Sequence, residues 1–510
     1  MTLIQDRLLS IATDPLLSFK QKSRQFALSA DEQLPYLSLS DGLSTALESR
    51  VVCDMFEGHA PFKPRYVLPD YALFLKQGSC YLELPPADTL DEALTYLGIL
   101  YHHVPSVTDL PVFLGHIDRL LLPYIDDVSD KQLYQKLKLF WIQLDRTLPD
   151  AFVHANIGPE DNRIVRAILA IEAELKQTVP NLTFMYDPAI TSDDLLRAVT
   201  DTLCQCNKPH IANNPLHEAQ FTDTGFGIVS CYNALSLGGG ANTLVRLNLR
   251  KVAEQSDSLE DFFAHQLPRY SDLMFELIEA RTDFLHNRSG FFNSFLVSEG
   301  LIHEDRFSPM WGVFGLAQAV NHLGSLANKQ GSYGNSEWHN ALAPRISQAL
   351  SDIVTETFVT FGYKNRALLH SQAGISTDSE ETPGTRIPYG EEPDIISHVK
   401  IAASHHAYYP SGISDVLQLD QTVVDNPESV FQLCKGALQI GMREFTVNIA
   451  HQDLVRVTGF MIKRSDIEKL QAEGSRSNTA ALGVEAVEKT GILNRRPRVV
   501  SDELTVSDYQ

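Results

Sequence analysis

Apolar residues at helical spacing, interleaved with short β-prone runs, predict a mixed α/β protein. DEALTYLGILYHH and TDLPVFLGHIDRLLLPYI repeat apolar residues every three or four positions. GIVSC and TLVRLNL are β-prone and lie on either side of a triple glycine, Gly238 to Gly240. At 510 residues the chain is long enough for one large α/β barrel or several ordinary domains.

Taken in order, the first half reads as helices broken by loops, with Pro105 and Pro111 marking the entry of the second helix. SDDLLRAVTDTLCQCN is a further amphipathic helix, and KPHIANNPLHEAQF after it reads as a polar loop turning at Asn-Asn-Pro. Cys231 falls at a strand end or loop tip ahead of the glycines. Helices resume through DSLEDFFAHQLPRYSDLMFELIEART, and FSPMWGVFGLAQAV reads as a loop entering a helix at about Gly315. The polar, acidic stretch from Ser371 to Pro393 reads as a long loop or flexible connection. Beyond it come a helix over NPESVFQLCKGALQ, a short strand over FTVNI, a turn centred on Gly459, and a charged surface helix and tail from about Glu468 to Gln510.

Composition narrows the function. Hydrophobic residues at 44% and charged residues at 21% describe a soluble, folded chain. No apolar run approaches the roughly 18 residues that span a bilayer, and the start lacks the basic flank and cleavage site of a secretory signal, so cytoplasmic residence without a membrane partner is expected. A net charge of −22 disfavours nucleic acid and favours small-molecule chemistry. The six cysteines form neither a CxxC pair nor a Cys/His array of zinc-binding spacing, which predicts reduced thiols and no metal. Cys204 and Cys206 read as structural, and His116 in LGHIDRL as a helix-face residue.

One short motif carries chemistry. Arg456-Val457-Thr458-Gly459-Phe460 resembles the signature Arg-Val-Ser/Cys/Ala-Gly-Tyr of glycyl radical enzymes, which lies near the C-terminus in that family as it does here. Thr458 and Phe460 depart from the commonest form. Loss of an α-hydrogen from glycine leaves a planar carbon radical shared between amide nitrogen and carbonyl, and a side chain would crowd that planarity. Taken alone, Gly459 could equally make a turn. The surroundings extend the resemblance: Asn426-Pro427-Glu428, Gly441-Met442-Arg443-Glu444-Phe445 and FSPMWGVFGLAQAV all have counterparts in these enzymes or in the anaerobic ribonucleotide reductases. It covers roughly the C-terminal 300 residues. NPLHEAQF and SCYNALSLGGGANTLVRLNL are most similar to the YjjI-type subfamily.

The resemblance implies a ten-stranded α/β barrel of two antiparallel five-stranded half-barrels with surrounding helices. Residues 1–395 would be the helical N-terminal part and the barrel with its cysteine loop, and 396–510 the glycyl radical domain and tail. It implies a radical stored on Gly459 and passed to a protonated, shielded thiol, for which Cys231 is best placed, with Arg456 and Phe460 supporting the radical loop. The radical would be installed by a separate S-adenosylmethionine-dependent activase with a [4Fe-4S] cluster, because this chain has no CxxxCxxC. An oxygen-sensitive enzyme acting on a small molecule follows, with a homodimer as the expected assembly. Eliminating relatives place a glutamate base two positions after the cysteine, where this chain has Asn233. Pyruvate formate-lyase has a second cysteine where this chain has Tyr232. Both departures put those chemistries in doubt and leave the reaction class, lyase or transferase, open.

Asn214, His217, Glu218, Asn233, His405, His406 and Tyr408 are candidates to line the pocket, with adjacent His217 and Glu218 the expected acid/base pair. For any single one, a satisfied loop or core residue is the plainer expectation. Three other functions stay open: a retired family member serving as a spare part or binding module, a ribonucleotide reductase-like nucleotide enzyme, and an ordinary hydrolase. The nucleotide-sensing domain and four-cysteine zinc site of the reductases are not visible. Nor is a GxSxG or metal-ligand cluster of a hydrolase.

Overall fold

The structure, a computed structural model, describes residues 2–15, 17, 19–31, 37–53, 62–104, 112–148, 152–371, 381–413, 415–450, 452–456 and 461–473. Gly459, Phe460, Pro105 and Pro111, part of the predicted loop after Ser371 and the tail beyond 473 lie outside the described residues.

Short strands punctuate the helices. In chain order they are β1 (Val52–Cys53), β2 (Tyr66–Leu68), β3 (Phe113–His116), β4 (His154–Ile157), β5 (Asn181–Tyr186) and β6 (His210–Asn213). There follow the hairpin of β7 (Phe226–Val229) and β8 (Asn233–Ser236), then β9 (Gly239–Asn248), β10 (Phe307–Phe314) and β11 (Leu368–Ser371). The last are β12 (Asp415–Leu419), β13 (Glu444–Ile449) and the hairpin of β14 (Leu454–Arg456) and β15 (Met461–Lys463).

A six-stranded mixed sheet runs β12-β13-β6-β5-β4-β3, and a five-stranded sheet runs β1-β9-β10-β11 with β2 also on β9. From β3 to β6 each strand is parallel to the last, with helices Asp130–Thr147, Arg163–Leu175 and Asp193–Cys206 in the crossovers. Side groups bond the starts of these helices. Ser129 and Gln132 form a capping box on the first, Asn162 accepts from the Ile164 and Val165 amides of the second, and Ser192 accepts from the Leu195 amide of the third.

The expected ten-stranded barrel is met only in part. The fold is α/β with two mixed sheets of five and six strands. Among the described residues the sheets are linked by one parallel bridge, Ser371 to Ile413, and form no closed ladder. Strands β12 and β13 complete the sheet begun by β3 to β6, and Leu417 and Val447 share one apolar cluster with Phe113 and Phe184.

Three further expectations are corrected. The first half contains four parallel strands as well as helices, and FLGH, read as helical, is β3. KPHIANNPLHEAQF is strand β6 and a short helix, Asn214–Glu218, with Pro215 in its first turn. FSPMWGVF is strand β10 rather than a loop, although Gly315 does open the next helix. Strands of four residues buried on both faces show too little periodicity to be told from a helix turn. The triple glycine also enters a strand: a Cβ on Gly240 would stand 1.9 Å from the Tyr66 carbonyl of β2.

Behind the six-stranded sheet Lys208 and Glu172 form a fully buried ion pair at 3.0 Å. Lys208 also donates to the Pro180 carbonyl at 2.7 Å, and Trp141 Nε1 donates to Glu172 at 2.8 Å. Lys208→Met strands the Glu172 carboxylate and is expected to cost about 3–5 kcal/mol in urea unfolding. A loss under about 1 kcal/mol would show that the pair does not hold this face.

Candidate active site

Parallel register partners face the same side of a sheet, so one face of the six-stranded sheet can be read directly. It carries His154 and Asn156 from β4, Asn181 and Thr183 from β5, His210 from β6, Gln418 from β12, and Glu444, Thr446 and Asn448 from β13. The alternate residues, among them Ala155, Leu182, Phe184, Ile211, Phe445 and Val447, join the apolar cluster on the other side. The polar residues are nevertheless buried, at 8% exposure or less, so this face lines a polar interior rather than solvent.

The hairpin β7–β8 lies over that interior. Its first strand is held by side chains. His116 Nε2 lies 2.7 Å from the Phe226 carbonyl, and the Asn156 amide donates to the Ile228 carbonyl at 2.9 Å and accepts from its N–H at 2.8 Å. His154 Nδ1 meets the Ser230 carbonyl at 3.1 Å. The structure thus places His116 at a strand end facing this hairpin rather than on a helix face.

Val229 pairs with Asn233, leaving Ser230, Cys231 and Tyr232 at the tip. Ser230 and Tyr232 have φ of 56° and 63°, a left-handed conformation costing about 1–3 kcal/mol per residue outside glycine. Contacts around Tyr232 hold it there: its ring stacks on His210 at 3.7 Å and 13°, meets His154 edge-on, and its hydroxyl bonds the Arg456 guanidinium. Gly412 lies so close that a Cβ there would be 2.0 Å from the Tyr232 carbonyl. The half-buried Cys231 Sγ is 3.8 Å from Ser230 Oγ and is in no disulfide. By contrast Cys204, Cys206 and Cys434 are buried, and burial pushes their thiols up, to about 12 for the first two.

His217 is fully buried on the short helix after β6, with Nε2 3.2 Å from Glu444 Oε1. His210 Nε2 is 3.9 Å from Glu444 Oε2. Burial lowers both histidines well below the ordinary range and raises Glu444 well above it, the latter opposed by neighbouring Arg443. Burial thus favours the uncharged forms of His217 and Glu444 over an ion pair. The expected partner Glu218 is exposed, because adjacent residues of a helix diverge by about 100°. Glu444, quoted above only as family context, is the carboxyl that His217 faces.

The other candidates separate. Asn214 is buried with an unpartnered Nδ2, and Asn233 donates to the Val229 carbonyl at 2.9 Å while its buried Oδ1 has no partner. His406 abuts the site from behind, accepting from the Arg443 amide at 2.8 Å. His405 instead bonds Tyr333 and Ser347 at 2.9 and 2.8 Å within a buried network, and half-buried Tyr408 packs on the second apolar cluster. Arg456 is fully buried. Besides Tyr232 it reaches Asn181 Oδ1 at 3.3 Å, its backbone exchanges two hydrogen bonds with the Asn448 amide, and burial lowers its guanidinium to about 9.

Comparison with known proteins gives concordant results. The family model described as "Glycyl radical enzyme YjjI-like" matches residues 17–498. The protein YjjI of Escherichia coli (strain K12) is 56% identical over 501 residues, 98% of this chain and 97% of the relative. In fold the chain resembles the B12-independent glycerol dehydratase of Clostridium butyricum, with a TM-score of 0.72 at 10% identity over 98% of this chain and 89% of that one. It also resembles the anaerobic ribonucleotide reductase of Thermotoga maritima, at 0.66 and 11% over 92% and 94%.

Burial holds four interior histidines far below their unfolded value of about 6.5: His116 and His405 to about 4, His154 and His406 to about 3. Below pH 6.5 the unfolded chain binds protons that the folded chain refuses. Their contribution is thus complete above about pH 6.5 and declines as the pH falls toward 4, by up to about 1.4 kcal/mol per histidine per pH unit. Urea unfolding at pH 7.0 and 5.5 should show this loss, with these four rings silent in an NMR titration over that range. Stability unchanged between the two pH values would contradict it.

Proposed function

The chain belongs to the YjjI-like glycyl radical enzymes, and on that premise we propose that Gly459 stores the radical and Cys231 uses it to abstract hydrogen from a small polar metabolite. The observation that carries this reading is the hydrogen bond from Arg456, the first residue of the Gly459 motif, to Tyr232, the residue after Cys231. It joins the end of β14, the residue that opens the motif, to the cysteine hairpin. The hydrogen balance is closed: the Cys231 S–H gives its hydrogen atom to the Gly459 α-carbon, and the resulting thiyl takes one from a substrate carbon and later returns it. A polar interior lined by Asn214, His217, Asn233 and Glu444 suits a substrate rich in oxygen or nitrogen, and these residues are its proposed contacts.

Residues from 396 onward carry the radical motif in this scheme, and Arg456 and Phe460 flank and support it. A separate S-adenosylmethionine-dependent iron–sulfur activase installs the radical, and the enzyme works in the cytoplasm away from oxygen. Asn233 cannot serve as the base of an eliminating relative, so acid/base work falls to other groups. The likeness to the glycerol dehydratase supports a small polar substrate without choosing the bond broken after abstraction.

Anaerobic incubation with the activase and S-adenosylmethionine should give a glycine-centred doublet in the electron paramagnetic resonance spectrum, absent in Gly459→Ala. Air should then cut the chain at Gly459, seen by mass spectrometry as a lost C-terminal fragment. A spectrum that stays silent with an activase proven on another substrate protein would overturn the assignment.

A further inference from the structure

Hydrogen bonds across the inner face of the six-stranded sheet form a chain whose direction is fixed at one end. The Ser230 carbonyl can only accept, so His154 Nδ1, 3.1 Å away, carries a proton. His154 is neutral in the buried interior, which leaves Nε2 an acceptor, and Thr183 Oγ1 donates to it at 2.7 Å. Thr183 has one proton and has thereby used it. Its oxygen must accept from His210 Nδ1, 3.3 Å away on the next strand. His210, also neutral, then turns a bare Nε2 lone pair toward Glu444 Oε2 at 3.9 Å.

A carboxylate there would set a negative oxygen against a lone pair, whereas a carboxylic acid sets an O–H against it. We propose that Glu444 is the proton donor of this chamber to a bound substrate, and that His154 and Thr183 are positioning residues that fix the His210 tautomer so that the Glu444 acid form is favoured. The inference rests on reading this interior as the reaction site. When the donor acts, the Glu444 O–H breaks, the proton joins a substrate oxygen, and the bonding pair stays on the carboxylate. His217 Nε2 lies 3.2 Å from Oε1, the other oxygen of the carboxyl.

Other groups around Glu444 are consistent with this. Arg443 is its neighbour on β13, but that guanidinium is engaged by the His406 and Leu216 carbonyls at 3.1 and 2.7 Å. His406 meets the Arg443 and Glu444 amides from its helix. Arg456 and Arg386 lie near enough to His210 to oppose its protonation. A second observation points to a ligand: both Glu444 oxygens, His210 Nε2, both His217 nitrogens, Asn214 Nδ2 and Asn233 Oδ1 are buried without a well-aligned hydrogen bond.

The test uses the full, unactivated chain, so its outcome is independent of whether Gly459 forms a radical. Infrared difference spectra with 13C-labelled glutamate should show a protonated glutamic acid carbonyl band at pH 7 that is lost in Glu444→Gln. The label separates it from Asp118, a buried carboxyl raised to about 6. In Thr183→Val the band should diminish in favour of carboxylate, and 15N NMR should show His210 losing its single tautomer. Thr183→Ser, which keeps the hydroxyl, should restore both. A wild-type spectrum with no Glu444-dependent acid band would overturn the donor. A Thr183→Val protein with band and tautomer unchanged would overturn the positioning chain.

Discussion

A two-stranded hairpin leaves the outer edge of each strand without a neighbouring strand, and along β7 the cysteine hairpin finds partners for that edge in side chains. The Phe226 and Ile228 peptide groups of β7 and the Ser230 carbonyl just beyond it are met in turn by His116, Asn156 and His154. The Asn156 amide acts as a surrogate peptide, donating and accepting in one plane. Because those three side chains stand on strands β3 and β4, the height of the hairpin above the sheet is set by backbone register, not by a flexible loop. Precision at the Cys231 tip follows from this support.

The arrangement carries an energetic burden. Unmet buried polar groups cost about 1–3 kcal/mol each, and the interior around Glu444 holds several. Left-handed Ser230 and Tyr232 add strain. The apolar cluster on the opposite face of the same sheet offsets both, with Phe184, Ile211, Phe445 and Val447 fully buried. Alternation along β4, β5 and β13 therefore divides labour: one face stabilises, and the other turns polar groups toward the site. Burial there disfavours the charged forms, lowering the histidines and raising Glu444.

Much of this was legible in the chain itself. The helix Asp193–Cys206, the helix over NPESVFQLCKGALQ and the strand over FTVNI follow from the spacing and type of their apolar residues. Family membership followed from Gly459 and its surroundings, and the family comparison bears it out. The four-residue strands β3 and β6 are not legible because two buried faces erase the alternation that marks a strand. Alternation was present in HANI and EFTVNI, with polar residues at every second position, yet such a pattern ordinarily means a solvent face. Only the fold reveals that both faces are covered. His217 could be singled out as a polar residue near the cysteine, but its carboxyl partner lies 227 positions away on β13, beyond any local pattern.

The proposed function makes hydrogen-atom exchange between Gly459 and Cys231 the step that the hairpin and the polar interior would serve, and solvent isotope reads it directly. The thiol hydrogen exchanges with water, so a glycyl radical that communicates with Cys231 acquires deuterium at its α-carbon. Activated protein transferred anaerobically into D2O is predicted to lose the doublet splitting of its electron paramagnetic resonance signal, while Cys231→Ser keeps the doublet. A doublet that persists in D2O in the unaltered protein, or one that collapses equally in Cys231→Ser, would contradict the pairing of these two residues.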